Sequence, residues 1–237
     1  MNLEEPGILR SSWKDQTVFG ILSPDESNYL EENADIRHYK KNEIIFSQGK
    51  RILGCYMVLA GIVKQFKTGI EGKDYIFRLA KSYELLGFRS VLSEEPACNT
   101  STVVEDCTVY YIPKECLHRL VKTNGDFALN LLQIACRELE ESHSMITEIA
   151  QKSVKERLAE LLLTLKDKFG VNEQNQLNIS LSREDLANVV GTATESTIRL
   201  LSEFKHEGYI DVSGKKISII NTKALEKIAV LYAENRT

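Results

Sequence analysis

The spacing of apolar residues along this chain changes period after Pro113, and the change marks a boundary. Between residues 42 and 112 the apolar runs are short, at 43–46, 55–59, 62–66, 74–79 and 102–112, and glycines at 49, 54, 61, 69, 72 and 87 punctuate them. Runs of this kind, rich in Val, Ile, Tyr and Phe, predict the strands of an antiparallel sandwich, barrel or roll. After Pro113 the period lengthens, and residues 126–150 hold a helical pattern free of Pro and Gly. Ala128, Leu132, Ala135, Leu139, Ser142, Ile146 and Ile149 follow one another in steps of four and three, the a/d repeat of a coiled coil over about three heptads. Such a seam predicts a partner helix, and its small residues at 128, 135 and 142 let two helices approach closely. Leu131, Ile134 and Met145 occupy neighbouring positions, so part of the same helix is also expected to cover the β domain.

A second helical pattern, Val154, Leu158, Leu161, Leu162, Leu165 and Phe169, stops at Gly170, a residue suited to the end of a helix. Beyond the polar stretch 172–176, Ser182 stands three residues before Asp185, a hydroxyl N-cap followed by an acid. Leu186, Ala187 and Val190 supply the apolar face of that helix, and Gly191 ends it. Thr192 stands three residues before Glu195, which predicts a second start, with Ile198, Leu201 and Phe204 recurring at helical spacing. Two short helices joined at a glycine outline a helix-turn-helix over 182–204. Residues 208–219 read as two short strands about a Ser213-Gly214 turn with Lys215 and Lys216 at the tip, a wing positioned to touch phosphate. Any αα-hairpin shares the two-helix outline, and the wing is what favours DNA.

At these residues the sequence resembles the CRP/FNR family of bacterial regulators, whose DNA-binding pattern is R-x-D/E-L-A-x-x-x-G-x-x-x-E-T-x-x-R-x-L. Here the pattern reads Arg183, Asp185, Leu186, Ala187, Gly191, Glu195, Ser196, Arg199 and Leu201, with Ser196 keeping the hydroxyl of the usual Thr. The resemblance implies an α+β chain: an N-terminal antiparallel β-roll (a cyclic-nucleotide-binding-like jelly roll) as sensor over 1–123, a long dimerisation helix and hinge over 124–150, and a C-terminal winged helix-turn-helix over 151–237. It places Glu195 and Arg199, one turn apart, against base edges. Arg pairs in bidentate fashion with guanine O6 and N7, and Glu accepts from cytosine N4; the competing reading is a surface ion pair between the two. Ser182, Arg183, Thr192, Thr194 and Ser196 fall near the helix starts, where phosphates are expected, and Lys215 and Lys216 join them from the wing.

Members of the family that bind cyclic nucleotides hold the ribose with a Gly-Glu pair and the cyclic phosphate with an Arg-Ser pair. The corresponding stretch here is Glu84-Leu85-Leu86-Gly87-Phe88-Arg89-Ser90, continuing through Ser101, with Phe88 where the Glu belongs and no arginine from Ser90 through Pro113. A buried phosphate without a guanidinium forgoes charge-assisted hydrogen bonds, so cAMP is not expected as effector. Glu84, Gly87, Phe88, Arg89 and Ser101 remain the candidate pocket for some other small molecule. Oxygen-sensing members hold an iron-sulfur centre on cysteines near the N-terminus, and this chain has none before Cys55.

Composition then narrows the field. The five cysteines form no CxxC pair, and the histidines at 38, 118, 143 and 206 are dispersed, so no metal, cofactor or catalytic set is expected and the thiols are read as reduced. A metal-dependent β-roll enzyme would need histidines converging among the strands, and only His38 comes near them. Net charge is −4, so DNA binding has to come from local geometry; from residue 151 onward Lys plus Arg number 13 against 12 Asp plus Glu. The N-terminus carries acid where a signal peptide needs base, and no apolar stretch approaches the roughly 18 residues that span a bilayer. The expected setting is the cytoplasm, without membrane, and the expected partners are double-stranded DNA, a second copy of the chain, RNA polymerase and an unidentified small-molecule effector. The alternative is a dimeric β-roll interaction module with a degenerate helix-turn-helix.

Overall fold

The computed structural model describes residues 13–70 and 72–229. The chain forms two units, Met1–Thr68 with Phe77–Ser142, and Gly69–Ile76 with His143–Thr237.

In the first unit, helix α1 (Pro24–Asn33) is started by a reciprocal cap in which the Ser23 hydroxyl accepts from the Glu26 N–H and the Glu26 carboxylate accepts from the Ser23 N–H. Strands β1 (Asp35–Tyr39), β2 (Ile44–Phe46), β3 (Gly54–Thr68), β4 (Asp74–Ala80), β5 (Leu85–Leu86) and β6 (Thr100–Pro113) make one sheet. Its order is β1-β6-β3-β4, with β2 also on β6 and β5 on β3. The two runs expected as separate strands at 55–59 and 62–66 are one strand, β3, paired antiparallel with β6 through register shifts near Ala60 and Ile62. Gly61 makes this possible: its φ is +90°, and a Cβ there would lie 2.4 Å from the Asp106 carbonyl oxygen. Strand β1 shows no apolar alternation because its residues are mostly polar; it is held by a five-pair antiparallel register with β6, and the Arg37 guanidinium lies over the Tyr111 ring at 3.4 Å.

Helices α2 (Phe88–Ser93) and α3 (Lys114–Thr123) lead to the long helix α4 (Gly125–Gln151). Phe127 and Leu131 of α4 are buried in a core with Trp13, Phe19, Leu30 and Leu117. On another side, Leu132, Leu139, Ile146 and Ile149 stay 44–64% exposed. The expected seam is thus an open apolar row at these four positions, whereas Ala128 and Ala135 are partly covered. Cys55, Cys107 and Cys116 are buried, which pushes the Cys107 and Cys116 thiols up to about 12 and about 11, while Cys98 and Cys136 are exposed. Among the described residues no helix is long and apolar enough to cross a membrane.

In the second unit the end of α4 is followed by α5 (Val154–Phe169), α6 (Arg183–Val190), α7 (Thr194–His206), the hairpin β7 (Ile210–Ser213) with β8 (Lys216–Ile219), and α8 (Thr222–Ile228). Leu158, Leu162, Leu186, Leu201 and Phe204 are each 2% exposed or less and form its interior.

Candidate nucleic-acid interface

Helix α6 begins as its sequence dictates. The Ser182 hydroxyl accepts from the Asp185 N–H at 2.9 Å, and the Asp185 carboxylate accepts from the Ser182 N–H at 3.3 Å. Gly191 ends the helix at φ +72°, and its N–H donates to the Ala187 carbonyl at 2.9 Å. Thr192, expected as the next N-cap, is not one: its N–H folds back to the same Ala187 carbonyl, and the cap of α7 is Ala193, without any side-chain bond. The first N–H groups of α7 therefore receive no side-chain cap, with Thr194 and Ser196 beside them.

The buried face of α7 also differs from the expected one. Thr197, Leu200, Leu201 and Phe204 are buried, whereas Ile198 is exposed. Thr197 fits the interior because its hydroxyl donates to the Ala193 carbonyl at 3.4 Å, so a polar residue holds a core position that an apolar pattern passes over. Glu195 and Arg199 are exposed on the outer face, and no ion pair joins them among the described residues.

The wing turns at Gly214 and exposes Lys215 and Lys216. Two cations tie this hairpin to the helices. Lys205 donates to the Val212 carbonyl at 2.9 Å and pairs with Asp211 at 2.8 Å. Arg183 donates from Nη2 to the Gly214 carbonyl at 2.6 Å, a partner 31 residues away that the sequence does not reveal. Its Nη1 is buried without a hydrogen-bond partner.

A further arginine, Arg157, carries no signal in the sequence. It donates to three backbone carbonyls: Val190 at 2.9 Å, Lys152 at 2.6 Å and Ile149 at 3.4 Å. It thereby joins the end of α4, the start of α5 and the end of α6. Beside it, the nearly buried Lys152 pairs with Glu160 and with Glu148 at 3.7 Å, and burial, with the Glu160 charge behind it, raises the Glu148 carboxyl above its ordinary range.

Residues 156–228 match the Crp-like helix-turn-helix domain, and residues 36–124 match the cyclic nucleotide-binding domain. The chain belongs to the CRP/FNR family of DNA-binding transcription regulators. It is 27% identical over 224 residues to the transcriptional activator protein FnrA of Stutzerimonas stutzeri, covering 91% of each chain. It is 28% identical over 202 residues to the anaerobic regulatory protein of Bacillus subtilis, covering 83% of this chain and 85% of that one. A CRP/FNR-family regulator from Eubacterium rectale has the same fold, with a TM-score of 0.76 at 22% identity over 90% of this chain and 97% of that one.

In this CRP/FNR chain the candidate pocket residues of the cyclic nucleotide-binding domain are held by other side chains or packed into the core. Phe88 is 2% exposed and packs within the core. Glu84 accepts from Arg78 Nε at 3.1 Å and Nη2 at 2.8 Å, and Arg78 also pairs with Glu138. Glu138 takes Arg89 Nε at 3.1 Å. Ser101, fully buried, accepts from Gln65 Nε2 at 3.1 Å, and Gln65 Oε1 faces Arg78 Nη1 at 3.5 Å. Gly87 caps α2 in the left-handed conformation. Arg78, Gln65 and Glu138 are invisible as site residues in the sequence because the fold, not the spacing, assembles them. Among the described residues no group of three or more His, Cys, Asp or Glu side chains is placed to hold a metal ion.

Proposed function

We propose that this regulator acts in the cytoplasm as a homodimer that reads an inverted-repeat operator. In this reading Glu195 and Arg199 face base edges, Ser182, Thr192, Thr194 and Ser196 lie at phosphates, and the wing lysines Lys215 and Lys216 flank them. The observation that carries it is the outer face of α7, where Glu195 and Arg199 are exposed without pairing to each other while the opposite face is buried. The open row Leu132, Leu139, Ile146 and Ile149 on α4 supports dimerisation by the helix-pairing geometry of a heptad seam. Arg183 serves the phosphate contacts through the wing, whose turn it holds at Gly214. We take RNA polymerase as the further protein partner and assign the chain no catalytic step.

Selection of binding sites from random duplexes tests this reading. The expected result is a two-fold symmetric site whose half-site centres lie about 34–36 Å, or about 10–10.5 base pairs, apart. An asymmetric site would overturn it.

We further propose that cAMP does not control the protein. The carboxylate that could take a ribose hydroxyl, Glu84, is bonded to Arg78, and the arginines that could take a phosphate, Arg78 and Arg89, are paired with Glu84 and Glu138. A nucleotide would have to displace these part-buried pairs and leave carboxylates uncompensated. Calorimetry with cAMP at micromolar concentration is expected to give no saturable heat, and saturation with a matching rise in operator affinity would overturn the proposal.

A further inference from the structure

We infer that Ile198 reads a thymine of the operator through its C5-methyl group, an assignment that rests on the base-reading role given to α7 above. Apolar spacing alone would send Ile198 into the core with Leu201 and Phe204, yet it remains 46% exposed while Leu201 is 2% and Phe204 0% exposed. Single exposed aliphatic side chains are common on protein surfaces. What distinguishes this one is its place. At about 100° per residue, Ile198 lies about 60° around the helix from Glu195, and Arg199 about 40° to the other side. The three residues share one face, so a helix that brings Glu195 and Arg199 to base edges brings Ile198 there too.

The chemistry of that surface selects the ligand. The major-groove edges of the bases present hydrogen-bond donors and acceptors throughout, and the thymine methyl is their one apolar group. Ile198 has no polar atom to offer, and burying its exposed carbons against that methyl removes apolar surface from water on both sides. The next residue along the same face does not compete: the Ser202 hydroxyl is turned back to donate to the Ile198 carbonyl at 3.0 Å. Ile198 would therefore favour thymine over cytosine, which lacks the methyl, at a base pair adjacent to those read by Glu195 and Arg199.

The test replaces single thymines of the selected operator, in both half-sites, by 2′-deoxyuridine, which deletes only the methyl. At one thymine position the unaltered protein is expected to lose about fourfold in affinity per half-site, the worth of one buried methyl group. Ile198→Ala is expected to bind the thymine and uracil duplexes equally, and Ile198→Val to fall between. The exposed position makes both variants expected to melt with the parent. Ile198→Ala should also keep its discrimination at the positions read by Glu195 and Arg199, which separates this contact from the wider base-reading role. A parent protein indifferent to every uracil, a selected half-site without thymine, or an Ile198→Ala protein still sensitive to the missing methyl would overturn the inference. Failure to select any site would overturn the base-reading role and the thymine assignment with it.

Discussion

Replacing Leu139 and Ile146 together by Glu is expected to halve the mass seen in sedimentation and to weaken operator binding by about 10²- to 10⁴-fold. The second figure is the usual gain when two linked modules bind together. Leu139 is 55% and Ile146 64% exposed on the outer side of α4, so neither substitution disturbs the core of one copy and each chain should fold. In a parallel pair of helices these positions meet their own counterparts across the two-fold axis. Four aliphatic side chains would lose burial worth about 1.5–3 kcal/mol each, and like charges would meet in their place. Unchanged mass with unchanged circular dichroism would show that the exposed row faces something other than a second copy.

Truncating Arg199 to Ala should cost about 1–3 kcal/mol at its base pair in each half-site and relax selection there, because a bidentate pair to guanine has no substitute in a methyl group. Since a symmetric operator presents the pair twice, the whole complex is expected to lose about 2–6 kcal/mol. Arg183→Ala should fail differently. Its guanidinium holds the wing turn by the Gly214 carbonyl, so its removal is expected to loosen the grip of Lys215 and Lys216 on the backbone and weaken all sequences alike. The salt slope should then fall by about one unit for each phosphate no longer neutralised. Site selection run on the parent and both variants distinguishes the two. An Arg199→Ala protein with undiminished selectivity would return Arg199 to the role of a surface cation.

What can be read from the sequence is what local chemistry encodes. The Ser182 cap and the left-handed Gly191 each depend on a few adjacent residues and appear in the structure where spacing puts them, and the wing turn, expected at Ser213-Gly214, falls one residue on at Gly214-Lys215. The continuous strand β3 escapes the pattern because Gly61 has two meanings in a strand, a turn or a bulge, and only pairing with β6 decides between them. The apolar face of α7 departs from its spacing at Ile198 because the core accepts Thr197 in its stead. The bonds from Arg78 to Glu138 and from Arg157 to Val190 join residues 60 and 33 positions apart. Pairs at such separations leave no periodic trace, so the polar centre of the cyclic nucleotide-binding domain and the junction beneath the helix-turn-helix become visible only in the folded chain.

That junction has a mechanical side. With one planar guanidinium bonded to the carbonyls of Ile149, Lys152 and Val190, there is little slack between the last turn of the long helix and the turn that launches α7. A helix of 13 residues is a rod about 20 Å long. Pivoted at its start by about ten degrees, such a rod swings its far end by about 3.4 Å, the separation of successive nucleotides on a strand. Arg199, five residues into the helix and so about 7.5 Å from that pivot, would move by about 1.3 Å; on the proposed reading, the stiffness of a single arginine fork thus bears on whether the hydrogen bonds of Arg199 to a base stay within reach.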